Sequence, residues 1–191
     1  MPEQIVLDLE TKKGFTEVAG QASPARRAGR DLRLLGVSVA VIYSYREAQF
    51  RTFWEQELEQ LLPYLRQAEL IIGFNVKKFD FPVLEPYLNI DFTRLNTLDI
   101  FEEVERHLGF RLGLNSLAQT TLKTGKSGSG LDALKYYREG ELEKLAQYCR
   151  QDVLITRDLY EYGRAHGHLL FQRKGNIEPI PVRWGENKKA A

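Results

Sequence analysis

Four carboxylates in this 191-residue chain occupy settings from which they can converge: Asp8 and Glu10 in IVLDLET, Asp80 in IIGFNVKKFDFPVL, and Asp152 in YCRQDVLITRDLY. The first three follow or flank short apolar runs, and the fourth lies in a helical pattern with Tyr148 four residues before it. Four acids brought together repel one another unless cations neutralise them, so a site of this composition is built to hold metal. If the four meet, the chemistry is phosphoryl transfer with two divalent ions.

Each acid also has an ordinary reading. Asp8 and Glu10 are two apart and share a face if the strand continues, where one ion could bridge them; equally, a strand end turning to solvent carries two surface acids. Asp80 falls early in a helical stretch, where an acid complements the helix dipole by about 0.3–1 kcal/mol. Asn75, at a strand end, suits a turn or a helix cap. Tyr148 and Asp152 project over one edge of a helix. Asp152 abuts the apolar positions Cys149 and Val153, and a carboxylate held there needs a partner.

The elements that must position these groups follow from periodicity. Residues 4–8 read as a buried strand, 34–43 as a strongly β-prone one, and 48–53 as its antiparallel return. Residues 12–33 are polar, rich in Gly, Ala and Arg, and contain Pro24, the pattern of a mobile loop. A helical stretch over 55–68 contains Pro63, which kinks it or resets its start. Residues 70–73 form a second buried strand leading into a helix near 78–88. A third spans 97–100, followed by a helix through His107. Short helices are expected at 114–122 and 131–138 and a long one at about 140–163, with Leu142, Leu145, Ala146, Cys149, Val153, Thr156 and Tyr160 on one stripe. A terminal hairpin over 169–184 and a frayed end at 188–191 complete the chain.

This order predicts one α/β domain with a mixed sheet and helices on both faces, and ligand sites in such sheets lie at the carboxyl ends of strands. Asp99 also ends a strand but has no second acid at matching spacing. Gly125-Lys126-Ser127 imitates the end of a phosphate-binding loop, yet Thr120 stands where the first glycine belongs and a helix precedes it. His166 and His168 flank Gly167 at a helix end and suit a cap or the surface.

Apolar content of 43% and charged content of 28% match a soluble globular protein, and no apolar run approaches the ~20 residues of a membrane span. The N-terminus lacks a basic region and cleavage site, and the single cysteine, Cys149, excludes a disulfide framework and a cysteine-based zinc site. These features point to the cytoplasm. A net charge of +1 decides nothing about nucleic acid, because bound cations would add to it.

Taken together, Asp8-Leu9-Glu10-Thr11, the run from Asn75 through Phe79 to Asp80, and the run from Tyr148 to Asp152 resemble the three motifs of the DEDD exonuclease superfamily, D-x-E-T, N-x-x-x-F-D and Y-x-x-x-D, on a ribonuclease H-like fold. The histidine branch places its histidine five residues before the last aspartate; here that residue is Gln147, which indicates the tyrosine branch. Many relatives carry histidine where this chain has Phe74. The resemblance implies that Asp8, Glu10, Asp80 and Asp152 bind two Mg²⁺ or Mn²⁺ ions and that Tyr148 orients the attacking water. It implies release of nucleoside 5′-monophosphates from the 3′ end of single-stranded DNA or RNA, with Leu9, Thr11, Asn75 and Phe79 bordering the terminal nucleotide, although Phe79 suits plain core equally well. Lys77, Lys78, Lys123 and Lys126 would lie near backbone phosphates, although solvated lysines need no such role. The rival reading is a non-catalytic nucleic-acid-binding module or subunit; retention of all four acids and Tyr148 argues against it.

Overall fold

The computed structural model describes residues 3–18, 31–125 and 130–184. Five strands form one mixed sheet in the order β3-β2-β1-β4-β5. These are β1 (Gln4–Thr11), β2 (Val37–Ser44), β3 (Gln49–Trp54), β4 (Leu70–Gly73) and β5 (Thr97–Asp99). β1 runs antiparallel to β2 and parallel to β4, β2 is antiparallel to β3, and β4 is parallel to β5.

Side-chain alternation along β1 divides the core in two. Ile5, Leu7 and Leu9 join Ala40, Ile42 and Ile71 on one face, covered by Leu58, Leu61, Leu65 and Phe81. Val6 joins Val39, Val41 and Ile72 on the other, covered by Ile100, Val104, Leu145 and Val153. Full burial of one such side chain contributes about 1.5–3 kcal/mol, so both faces need helices, and both have them. The first face carries α1 (Leu62–Gln67) and α2 (Asp80–Leu84). The second carries α3 (Ile100–Leu108), α4 (Leu114–Thr121), α5 (Gly130–Arg138) and the long α6 (Leu142–His166). The fold is the expected α/β architecture, a mixed sheet with helices on both faces. No helix among the described residues is long and apolar enough to cross a membrane.

Several boundaries differ from the sequence pattern for local reasons. β1 continues three residues past Asp8, to Thr11. β2 starts at Val37 because Asp31 caps a 3₁₀ turn over Leu32–Leu34 and Gly36 takes a φ of 68°. Residues 55–61 wind as a 3₁₀ helix, and α1 restarts at Leu62 with Pro63 in its first turn. The helix expected near 78–88 is only α2; Glu85 keeps helical angles, but Pro86 after it has no N–H to continue the ladder. The loop expected to be mobile over 12–33 is anchored at its described ends: the Lys12 and Lys13 N–H groups donate to the carbonyls of Gly36 and Leu35. Residues 19–30, Lys126 and the 188–191 end lie outside the described residues.

After α6, Gly167 takes the left-handed cap at φ 70°, and the hairpin β6 (His168–Arg173) and β7 (Asn176–Pro181) follows. His166 Nδ1 lies 2.9 Å from the Tyr162 carbonyl oxygen and the two rings stack, a structural role at the helix end.

Candidate metal and nucleotide site

Because β1 continues to Thr11, Asp8 and Glu10 stand on the same face of the central strand, at its carboxyl end. That face is the one α6 covers. α6 lies there because Leu145, Cys149, Val153 and Thr156 are fully or almost fully buried, and this packing turns Tyr148 (7% exposed) and Asp152 (5% exposed) inward as well. One carboxylate oxygen each from Asp8, Glu10 and Asp152 lies within 4.8 Å of the other two. Three of the four expected acids therefore meet around one point.

The fourth is adjacent and differently engaged. Asp80 opens α2, where its Oδ1 accepts the Leu9 N–H at 3.1 Å. It is buried, and burial first and the charge of Asp8 second push its carboxyl well above the usual carboxylate range. The link through Leu9 ties Asp80 to the strand bearing Asp8 and Glu10. The Leu9 side chain is packed in the core at 3% exposure, so its backbone, not its side chain, is part of this arrangement.

Two further residues shape the cluster. The Cys149 thiol donates to the Asp8 carbonyl oxygen at 3.4 Å and lies 3.5 Å from Asp8 Oδ2. Burial, followed by the negative charge of Asp8, holds that thiol protonated, so it serves as a donor. Asp99 lies buried at the end of β5 and accepts from the backbone N–H groups of Asn75 (2.8 Å), Lys77 (3.0 Å), Phe101 (3.1 Å) and Glu102 (3.4 Å). It caps α3 and ties down the turn that leads from β4 towards Asp80. Gly73 makes that turn possible, since a Cβ there would fall 2.6 Å from Val76 Cβ. In the sequence Cys149 reads as a stripe position and as evidence against disulfides and cysteine-held zinc, not as a neighbour of Asp8. The available signal was its place three residues before Asp152, on the same side of the helix.

Beside Glu10 opens a cavity of about 620 Å³, walled by Thr11, Phe15, Leu35, Phe79 and Leu134, with Arg138 at its rim. Phe79 meets Phe15 edge-on at 6.0 Å, and Arg138 pairs with Glu17 at 2.7 Å. Thr11 is buried and its hydroxyl donates to the Lys13 carbonyl. Asn75 adopts a left-handed φ of 67°; its Oδ1 is buried without a hydrogen-bond partner among the described residues. Lys77 and Lys78 are ion-paired to Glu102 and Glu105 of α3, at 3.1 and 3.3 Å, and Lys123 donates to the Thr120 carbonyl.

The donor set tests well against a metal. It consists of carboxylate oxygens, the ligands that hard divalent cations take, and the crowding that raises Asp80 is the kind a cation relieves.

Comparison with known proteins bears on the fold and the family. A family model described as the RNase_H superfamily matches residues 32–163, a span that contains Asp80, Tyr148 and Asp152 and begins after Asp8 and Glu10. The structure is similar to that of the family B DNA polymerase from the hyperthermophilic archaeon Pyrobaculum calidifontis, with a TM-score of 0.62 at 14% identity. That alignment covers 85% of this chain and 24% of the polymerase, so this chain corresponds to only part of the larger protein. No curated protein matches the sequence.

Proposed function

Since the chain belongs to the RNase_H superfamily, we propose that it is a metal-dependent 3′–5′ exonuclease of the DEDD type, tyrosine branch, acting on single-stranded nucleic acid ends. The observation that carries this reading is the meeting of Asp8, Glu10 and Asp152 within 4.8 Å at the end of the central strand. Two Mg²⁺ or Mn²⁺ ions held by these three and Asp80 would supply Lewis acidity to the phosphodiester and offset the crowded negative charge.

The residues of the chain do the rest. Tyr148, one turn before Asp152, orients the attacking water through its hydroxyl; with an intrinsic pKa of about 10 it serves as a hydrogen-bond partner, not a base. Asp80 joins the ligand set by ionising, while its bond to the Leu9 N–H keeps it aimed at β1. Cys149 fixes the Asp8 carboxylate from the side of α6. Thr11 and Phe79 line the cavity beside Glu10, which takes the terminal nucleotide in this reading; Asn75, at the turn after β4, is not part of that lining and would reach the nucleotide only from outside it. A cavity of this size admits one unpaired nucleotide, which favours a frayed or single-stranded end.

The test is digestion of a 5′-labelled single strand with Mg²⁺ or Mn²⁺. The expected product is a ladder shortened from the 3′ end with release of nucleoside 5′-monophosphates. Asp8→Ala and Asp152→Ala should each lower the rate by at least about 10³-fold, because each removes a ligand whose charge stabilisation is worth several kcal/mol. Internal fragments would redirect the assignment to an endonuclease, and binding without turnover under both metals would sink it in favour of a binding module.

A further inference from the structure

β2 carries one residue more than its partner. Val39 stands opposite Glu10 and Val37 opposite Thr11, so Ser38 has no counterpart on β1. An extra residue of this kind bends the strand and re-aims a side chain. Packing records the slip: Val37 joins Ala40 and Ile42, whereas strict alternation from Val39 and Val41 would put it on the opposite face. Ser38 is 4% exposed, and its hydroxyl has no hydrogen-bond partner among the described residues. A buried hydroxyl left in that state is costly, so its presence needs a reason.

Ser38 lines a cavity of about 220 Å³ together with the half-buried Trp54 and Tyr137, Gln56, Leu142 and the ion-paired Lys12 and Glu55. This cavity and the larger one beside Glu10 are lined from the same two chain segments. Thr11 and Lys13 line the larger, and Lys12 between them lines the smaller; α5 gives Arg138 to the larger and Tyr137 to the smaller. Two aromatic rings, one hydroxyl, one amide and a charge pair that cancels suit a neutral planar ring with hydrogen-bonding edges. A nucleobase has that chemistry.

We propose that the smaller cavity receives the second base of the strand, the one next to the terminal nucleotide. Trp54 and Tyr137 stack on it, and the Ser38 hydroxyl bonds its edge. The inference rests on the nuclease reading, and the following experiment separates the two.

In a Trp184→Phe background, Trp54 is the sole tryptophan and its fluorescence reports the cavity. A trinucleotide or a nucleoside 5′-monophosphate is added in EDTA, so that nothing is hydrolysed. The trinucleotide should quench Trp54 and the monophosphate should not. Tyr137→Leu should weaken trinucleotide binding about 5- to 100-fold, and Ser38→Ala about 2- to 10-fold, with monophosphate binding unchanged. Ser38→Ala removes only an unpartnered hydroxyl, so it keeps the test valid should the tyrosine variant fold poorly. Equal quenching by the monophosphate overturns the proposal, because the cavity then takes free nucleotides. Parent-like trinucleotide binding by Ser38→Ala together with a silent Trp54 also overturns it. If the parent protein still degrades the labelled strand in Mg²⁺ or Mn²⁺, only this inference fails; if it degrades nothing, the nuclease reading fails with it.

Discussion

Asp80 and Asp99 are alike in position and differ in company. Each is a buried aspartate at the start of a helix, following β4 and β5, which lie side by side in the sheet. Burial pushes both carboxyls above their usual range. Asp99 recovers part of that cost from the four backbone N–H groups aimed at it, which favour the ionised form. Asp80 has the Leu9 N–H and faces the charge of Asp8, which disfavours ionisation further. An aspartate ringed by backbone donors is satisfied by the fold alone, whereas one set against other acids keeps a repulsion that the proposed metal would relieve. The partners, not the residue type or the depth, separate a structural acid from a candidate ligand.

The largest effect that tests this contrast comes from removing the charge of one aspartate, by Asp80→Asn, and the whole side-chain cap of the other, by Asp99→Ala. Asp80→Asn should lower nuclease rate by at least about 10³-fold while leaving metal-free stability unchanged or raised, because it removes one of several crowded charges. Asp99→Ala should do the reverse: it removes a helix cap and strands buried N–H groups, a loss of about 3 kcal/mol, or roughly 6–12 °C in melting temperature. Activity per folded molecule should fall far less. Melting curves and single-turnover rates on both variants decide the matter; a destabilised Asp80→Asn with near-normal rate would reverse the two roles.

A smaller effect is the pH dependence of metal-free stability. The folded pKa of Asp80 lies above its unfolded value near 3.9, so the unfolded chain ionises first as pH rises. Its contribution to stability is fully present below about pH 4 and is lost as pH climbs towards the folded value, by at most about 1.4 kcal/mol per pH unit. Asp99 acts in the same sense. In the proposed site divalent metal would bind the ionised acids, so millimolar Mg²⁺ or Mn²⁺ should restore roughly 1–3 kcal/mol near neutral pH and little at pH 4. Asp80→Asn should flatten the metal-free slope and shrink the metal's effect, whereas an unchanged slope would show that Asp80 is not the group titrating.

The contrast between the two aspartates also marks what the sequence could disclose. Asp8, Glu10 and Asp152 were legible because strand alternation and helix periodicity are local rules, and each fixed a face without knowledge of the partner. The two-faced sheet followed from the same rules, with Val6 and Leu7 apolar on opposite sides. Asp99 was set aside for lack of a second acid, since its partners include N–H groups of Asn75 and Lys77, more than 20 residues away and identical in type to every other amide. Ser38 was invisible for a related reason: a register slip is a property of two strands, and neither strand alone encodes it. Leu9 illustrates the converse, a motif residue whose place in the arrangement is carried by backbone while its side chain packs in the core.

The smallest effect lies at the joint between the two aspartates. Asn75 donates its N–H to Asp99 and turns the chain towards Asp80 through a φ of 67°, a conformation that asparagine tolerates and glycine adopts freely. Asn75→Gly keeps the backbone bond and the turn, so stability should stay within about 0.5 kcal/mol of the parent. Asn75→Ala keeps the bond but forces a Cβ into the left-handed region, at a cost of about 1 kcal/mol. If the side chain borders the terminal nucleotide, both variants should raise KM by the same factor, about 2- to 10-fold for one lost hydrogen bond, despite their different stabilities. A KM that follows stability instead would assign Asn75 wholly to the Asp99 side of the contrast, as a turn residue with no part in binding.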